Sequence, residues 1–219
     1  MPSEKDRYTP ALGYDFLTSL YDPVVRLTTR ERTFKRALIK QANVCGNHRV
    51  LDLGSGTGTL TLWIKEAHPV ARVTGVDGDP KIIEIAKRKA LGAGIKVSFV
   101  RALASALPWP DETFDRVLSS LFFHHLSREQ KAAALAEAYR LLKPEGELHI
   151  ADWGKPANLL MRGLFLSIRL LDGFGNTAEN ARGELPDLFL SAGFRKAAKR
   201  RAFPTVYGTL ALYSAIKPG

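Results

Sequence analysis

The chain has a single cysteine, Cys45, in 219 residues. That excludes an intramolecular disulfide framework, a cysteine-rich metal site and any mechanism that needs a pair of thiols. Long apolar runs are missing too. No stretch of 18 apolar residues and no secretory leader can be seen, so a cytoplasmic protein that does not span a membrane is expected. Acid is scarce beside base, with 22 Asp and Glu against 32 Lys and Arg and a formal charge of +10. Such a surplus suits an anionic neighbour, a membrane surface or nucleic acid, and a merely solvated basic surface would read the same way. The remaining composition, 45% apolar and 25% charged, is that of a globular protein with the length of one larger α/β domain.

A missing glycine is more specific. Arg49 to Leu53 reads as a buried parallel strand that runs into Gly54, Gly56 and Gly58, and Thr59 to Ala67 carries a helical rhythm through Leu60 and Ile64. A strand, glycine-rich turn and helix bring backbone N–H groups and a helix N-terminus up to a ligand with no side chains in the way. The dinucleotide fingerprint G-x-G-x-x-G would need its last glycine at position 59, where Thr59 stands. The pattern is instead Asp52-x-Gly54-x-Gly56-x-Gly58. A second strand, Arg72 to Val76, ends at Asp77, 19 residues past Gly58, where an acid can accept hydrogen bonds from ribose hydroxyls. This order resembles the first motif of class I S-adenosylmethionine (AdoMet) methyltransferases. The resemblance implies AdoMet as cofactor and S-adenosylhomocysteine as product. It makes Asp52, Gly54, Ser55, Gly56, Gly58, Asp77 and Gly78 cofactor-binding positions.

Further motifs extend the resemblance over about residues 45 to 153. Pro80 opens a helix with Asp79 as N-cap and Ile82, Ile83, Ile85 and Ala86 on its buried side. Ile95 to Val100 is the third strand. The segment from Arg101 to Asp115, with Leu107-Pro108 and Phe114-Asp115, resembles the family's third motif. Its usual adenine-contacting Asp is absent and its place falls on Leu103. Adenine is then expected on backbone N–H groups and apolar contact at Leu103 and Ala104, near Arg101 and Ser105. Phe114 to Leu121 is the fourth strand, containing the candidate cofactor contact Ser119, and Phe122-Phe-His-His-Leu126 follows. Ser127 caps a long helix whose core side is Ala133, Leu135, Ala138, Leu141 and Leu142. Lys143 to Gly146 makes a turn, and Glu147 to Ala151 is strand five, ending at Asp152-Trp153.

The family fold implied is a doubly wound, Rossmann-like α/β domain. Its sheet is seven-stranded and mostly parallel, with an antiparallel last strand and an N-terminal helical cover. The chain is expected to be one domain, divided into the cover (1–47), the AdoMet-binding core (48–153) and a substrate-side helix with closing strands (154–219). Tyr8 to Leu20 and Pro23 to Ala42 read as the cover helices. The second places Arg26, Arg30, Arg32, Lys35, Arg36 and Lys40 against Glu31 alone, and Val25, Leu27, Phe34, Leu38 and Ile39 on an apolar side. Tyr14, Tyr21 and Asp22 could reach the cofactor from this cover.

Beyond Gly154, Asn158 to Leu171 forms an apolar helix carrying Arg162 and Arg169. At roughly 21 Å it is too short to cross a bilayer. It is a core-packed insertion, a lipophilic lid, or a helix lying in a membrane interface. Glu184 to Ala192 is a further helix, and Phe194 to Phe203 and Thr205 to Ile216 form closing strands. Arg195, Lys196, Lys199, Arg200 and Arg201 crowd the first of them. The tail is similar to that of the ubiquinone/menaquinone-biosynthesis methyltransferases.

Methyl transfer from a sulfonium is an in-line displacement, so most of the rate comes from positioning. A base is needed only where the acceptor carries a proton, and His124 and His125, just after strand four, are the candidates. Asp152 and Trp153 come next. Further absences narrow the acceptor. Ser119-Ser-Leu-Phe-Phe123 lacks the paired prolines of amino-methylating nucleic-acid enzymes, and Cys45 lies before the first motif, where it cannot serve cytosine C5 methylation. A small lipophilic acceptor, a quinone precursor or phospholipid headgroup, is therefore favoured, with peripheral contact to an anionic membrane. The competing readings are methylation of RNA or protein through the basic surface, and a non-catalytic AdoMet-binding module.

Overall fold

A computed structural model of the chain describes residues 30–219. The first cover helix, Tyr14, Tyr21, Asp22 and the segment from Pro23 to Thr29 lie outside the described residues. Helix α1 spans Glu31–Ala42, and Arg30 before it has a left-handed φ of 59°, so an unbroken helix from Pro23 to Ala42 does not form. Strand β1 is Arg49–Leu53, helix α2 Thr59–Ala67, β2 Arg72–Asp77, α3 Pro80–Gly92 and β3 Ser98–Arg101. Then come β4 Phe114–Ser120, a single 3₁₀ turn at Phe123–His125, α4 Arg128–Leu141 and β5 Leu142–Trp153. Helices α5 Leu159–Asp172, α6 Ala178–Arg182 and α7 Leu185–Ser191 precede β6 Arg195–Thr205 and β7 Gly208–Ile216. The third strand is shorter than expected and the fifth longer, since pairing with Phe114 begins at Leu142. Helix α6 has no counterpart in the sequence-based reading.

The seven strands lie in the order β3-β2-β1-β4-β5-β7-β6. Strands β1 to β5 pair in parallel, and β7 runs antiparallel to both β5 and β6. The strand order reverses between β1 and β4, and in such sheets a crevice opens there at the carboxyl ends of the strands.

Alternation along each strand divides the core into two layers. One contains Leu51, Val117, Leu148, Tyr213 and Ala215 with Leu135 and Leu141 of α4 and Phe189 of α7. The other contains Val50, Leu118, Leu210 and Leu212 with Phe34 and Leu38 of α1, Leu60 of α2 and Phe165 of α5. A two-residue period on a sheet covered on both faces requires this division. On α4 Ala138 is buried as expected, but Ala134 is buried in place of the expected Ala133, one position earlier, and Lys131 is wholly buried beside it. Lys35 also departs from expectation. It turns inward from the basic side of α1 and bonds Glu31 at 2.6 Å, with both residues buried.

The basic crowd from Arg195 to Arg201 lies on β6, the edge strand of the sheet, with two register shifts. Charge and bulges are what keep an exposed edge from pairing with another chain. This gives the cluster a structural role that needs no anionic partner.

Candidate active site

The glycine-rich loop joins β1 to α2 at the switch point. Two of its glycines are places of close approach. A Cβ on Gly54 would lie 2.3 Å from Phe122, and one on Gly58 would lie 2.6 Å from Phe99. Gly56 differs: its φ is +52° and a Cβ there would meet nothing within 4 Å. The middle of the loop is thus open, as a ligand-cradling turn must be. Ser55 adds a buried hydroxyl with no hydrogen-bond partner among the described residues. Its backbone N–H donates to Val76 O at 2.9 Å, which ties the loop to the end of β2.

Asp77 ends β2 with its carboxylate against this loop. Oδ2 accepts from Gly56 N at 3.0 Å and Oδ1 from Asp79 N at 3.0 Å. The Gly78 N–H also bears on this carboxylate, and of its roughly four acceptor positions one remains for a ribose hydroxyl. Burial pushes the Asp77 carboxyl up, against the pull of those N–H groups. Gly78 follows at the same strand end, and Asp79 caps α3 by accepting from Lys81 N at 2.7 Å. Leu103 and Ala104 are half-buried beyond β3, and Ala102 N donates to Asp77 O at 3.1 Å, so that segment is stitched to the end of β2.

Asp52 and Ser119 have internal partners. Asp52 is buried and accepts from Thr61 Oγ1 at 2.6 Å; burial lifts its carboxyl to about 6 against that hydrogen bond. Ser119 Oγ donates to Leu53 O at 2.7 Å across the switch point. Both hold the walls of the crevice together. Tyr21 lies outside the described residues.

Next to the loop stands the histidine turn. The chain leaves β4 through Leu121, whose φ of 54° is costly for a non-glycine residue, and Phe122 then packs on Gly54. His124 and His125 follow, with ring centroids 4.0 Å apart. His124 Nδ1 is 2.8 Å from Asp152 Oδ1 at the end of β5, and its Nε2 is 3.6 Å from Asp172 Oδ2. His125 Nδ1 is 3.1 Å from Asp172 Oδ1. Burial disfavours the charged form of His124, but the Asp152 and Asp172 carboxylates outweigh it and raise its pKa above the ordinary histidine value. His125 moves the other way, lowered by burial and then by the His124 charge, with Asp172 opposing. His124, His125 and Asp172 also place potential ligand atoms within 4.8 Å of one another, a set able to hold a metal ion.

A buried polar scaffold holds these groups. Asn180 Nδ2 donates to Trp153 O at 2.8 Å and Asp152 Oδ1 at 3.3 Å. Asn176 Nδ2 donates to the carbonyls of His125 and Asp172, both at 3.1 Å. Lys131 Nζ reaches Glu179 Oε2 at 2.8 Å and also the Asn176 carbonyl, fastening this segment to α4. Asp172, Asn176, Glu179 and Asn180 were not among the expected site residues. The one signal for them was a run of polar residues after an apolar helix.

The loop, the open Gly56 and the acid at Asp77 fit AdoMet, which would be held by Gly54 to Gly58, Asp77 and the Leu103-Ala104 segment. Comparison with known proteins agrees. A family model described as "Methyltransferase domain" matches residues 50–146. The demethylmenaquinone methyltransferase of Thermus thermophilus is 40% identical over 143 residues, which are 65% of this chain and 62% of that protein's length. The ubiquinone/menaquinone biosynthesis C-methyltransferase UbiE of a Marinomonas species is 32% identical over 178 residues, 79% of this chain and 68% of its own length. A SAM-dependent methyltransferase from Aquifex aeolicus shares the fold, with a TM-score of 0.69 over 96% of this chain and 100% of that one at 22% identity. The chain belongs to the class I AdoMet-dependent methyltransferases and is a relative of the ubiquinone/menaquinone-biosynthesis group.

Proposed function

We propose that the chain methylates a ring carbon of a small, lipophilic quinol. The observation that carries this is the buried histidine pair, clamped by two carboxylates and beginning two residues beyond Phe122, which packs on the glycine-rich loop. Bound AdoMet supplies an electrophilic methyl group. A ring carbon becomes nucleophilic enough to take it when a neighbouring hydroxyl gives up its proton, and the protein must supply the acceptor for that proton. The names of the two relatives, a demethylmenaquinone and a ubiquinone/menaquinone C-methyltransferase, point to the same substrate class.

The outer face of α5 supports a lipophilic acceptor taken up at an anionic lipid surface. The helix buries Phe165 and half-buries Met161 and Ile168, but leaves Leu159, Leu160, Leu166, Leu170 and Leu171 exposed. Leu159 is 83% exposed. Arg162 is exposed on the same helix, and the net charge of +10 favours an anionic surface beside this apolar face. No helix among the described residues is long and apolar enough to cross a membrane.

The test is transfer of labelled methyl from AdoMet to a short-chain 2-prenyl-1,4-naphthoquinol in detergent, with bulk RNA and casein as alternative acceptors. Label in the organic extract, bonded to ring carbon, is the expected result. Label only in RNA or protein overturns the proposal in favour of the macromolecular reading. AdoMet binding with no transfer to any of the three acceptors also counts against it, and fits a binding module.

A further inference from the structure

His124 and His125 are not equivalent, and Asp172 is what sets them apart. Both ring nitrogens of His124 face carboxylates, Nδ1 that of Asp152 and Nε2 that of Asp172. A lone pair on either nitrogen would point at a negative oxygen, so the ring is most stable carrying both protons. His125 has a carboxylate on one side only, with Nδ1 3.1 Å from Asp172 Oδ1. The same repulsion puts its proton on Nδ1. That leaves Nε2 as a lone pair, and this atom is buried with no hydrogen-bond partner among the described residues.

We infer that His125 Nε2 is the proton acceptor of the reaction and that Asp172, the last residue of α5, is the positioning residue that fixes its tautomer. The inference deepens the proposed function, which requires a proton to leave a substrate hydroxyl. In the step, the O–H bond breaks, its electron pair stays on oxygen, and a new N–H bond forms at Nε2. The resulting His125 imidazolium lies against the Asp172 carboxylate, which offsets its charge. His124 cannot do this work, because its nitrogens are already protonated and shared between two acids. It instead holds Asp172 in place through its charge. Lys131, whose charge opposes that of His124, is drawn off by Glu179.

Asp172 arrives from a helix 47 residues beyond His125 in the chain (172 minus 125). Its hold is indirect as well as direct: Asn176 donates to both the Asp172 and the His125 carbonyls, so the carboxylate and the ring rest on one bracket. The groups facing His125 are therefore Asp172 from α5, His124 from its own turn, and Asp152 from β5.

The experiment has two readouts on the full chain. The first needs no substrate: ¹⁵N NMR of ring-labelled protein at pH 7 with AdoMet bound. The Nδ1–H tautomer at His125 and two protons on His124 are expected. An Nε2–H tautomer at His125 in the wild type overturns the inference. The second compares Asp172→Asn and His125→Gln in the naphthoquinol assay. We expect kcat to fall about 10²–10⁴-fold in His125→Gln. For Asp172→Asn, kcat should fall with a scrambled His125 tautomer and an acid limb of the pH profile moved to lower pH, while AdoMet binding stays intact. An unchanged tautomer and pH profile in Asp172→Asn overturns the positioning role even if kcat drops. Stoichiometric zinc or manganese retained through EDTA dialysis overturns it too, since both histidines would then be ligands. If the naphthoquinol is not methylated at all, the proposed acceptor fails, and the tautomer measurement still decides this inference.

Discussion

Gly56→Ala separates the cofactor role of the glycine-rich loop from its role in folding. Its φ of +52° imposes a cost on alanine of about 1–2 kcal/mol, the usual penalty for a left-handed L-residue. No packing penalty adds to it, because the new Cβ meets nothing within 4 Å. For a chain of this size 1 kcal/mol moves the melting temperature by roughly 2–4 °C, so the variant should melt about 2–8 °C below wild type. The ligand effect is larger. At a hundredfold excess over Kd, AdoMet stabilises the wild type by about 2.7 kcal/mol, or about 5–11 °C. In Gly56→Ala the methyl group fills the open middle of the cradle, and that shift should vanish. Gly54→Ala is the contrast: overlap with Phe122 at 2.3 Å adds to the strain of φ +69°, so the apo protein itself should be crippled. Differential scanning fluorimetry with and without AdoMet measures all three. A full AdoMet shift in folded Gly56→Ala would refute the reasoning, because the open space could not then be where the ligand sits.

Other expectations rest on buried charge and on the exposed helix. Asp52 has a folded pKa near 6 against an ordinary 3.8, so its proton is held more tightly in the native state. The sign follows: there is no penalty below pH 4, and a cost grows as pH rises through 6, reaching about 3 kcal/mol. Urea melts should show Asp52→Asn gaining on the wild type between pH 4 and 7, and a constant difference would sink the assignment. Lys131→Met leaves Glu179 buried without its main partner and should cost about 3–5 kcal/mol, whereas adding Glu179→Leu should restore most of it; equal losses in the two variants would contradict this. Leu160→Asp with Leu170→Asp should leave stability within about 0.5 kcal/mol, as both residues are exposed, while removing co-sedimentation with anionic vesicles. Unchanged sedimentation would detach the α5 surface from the membrane reading.

Much of the fold was legible because its signals are local. Strand, glycine turn, helix and strand up to Asp77 lie within about 30 contiguous residues, and each element is specified by its own pattern. The capping box at Ser127 and Gln130 starts α4 where the sequence reading put it. Errors came where tertiary partners override local pattern. Lys35 read as part of a basic, solvated side and Lys131 drew no reading at all, yet both are buried, since Glu31 and Glu179 neutralise them. The first pair is one helical turn apart and could have been found from spacing. The second spans 48 residues and could not.

The same distinction explains the chemistry. His124 and His125 were visible as candidates because they follow strand four, where the fold places reacting groups. Their different surroundings were not visible, because those depend on two carboxylates from other elements. Asp152 could be suspected from its place at the end of β5. Asp172 looks in sequence like an ordinary helix-terminal acid before Gly173. It becomes a neighbour of the histidines only through the packing of α5. Phe165 and Ile168 of that helix face the core at positions 7 and 4 before Asp172, a helical spacing that turns all three to one side. The apolar pattern that buries Phe165 therefore also aims Asp172 at the histidine turn. Reading the pattern required knowing which of the helix's two apolar sides is covered, and the leucines on the uncovered side hide that in the sequence.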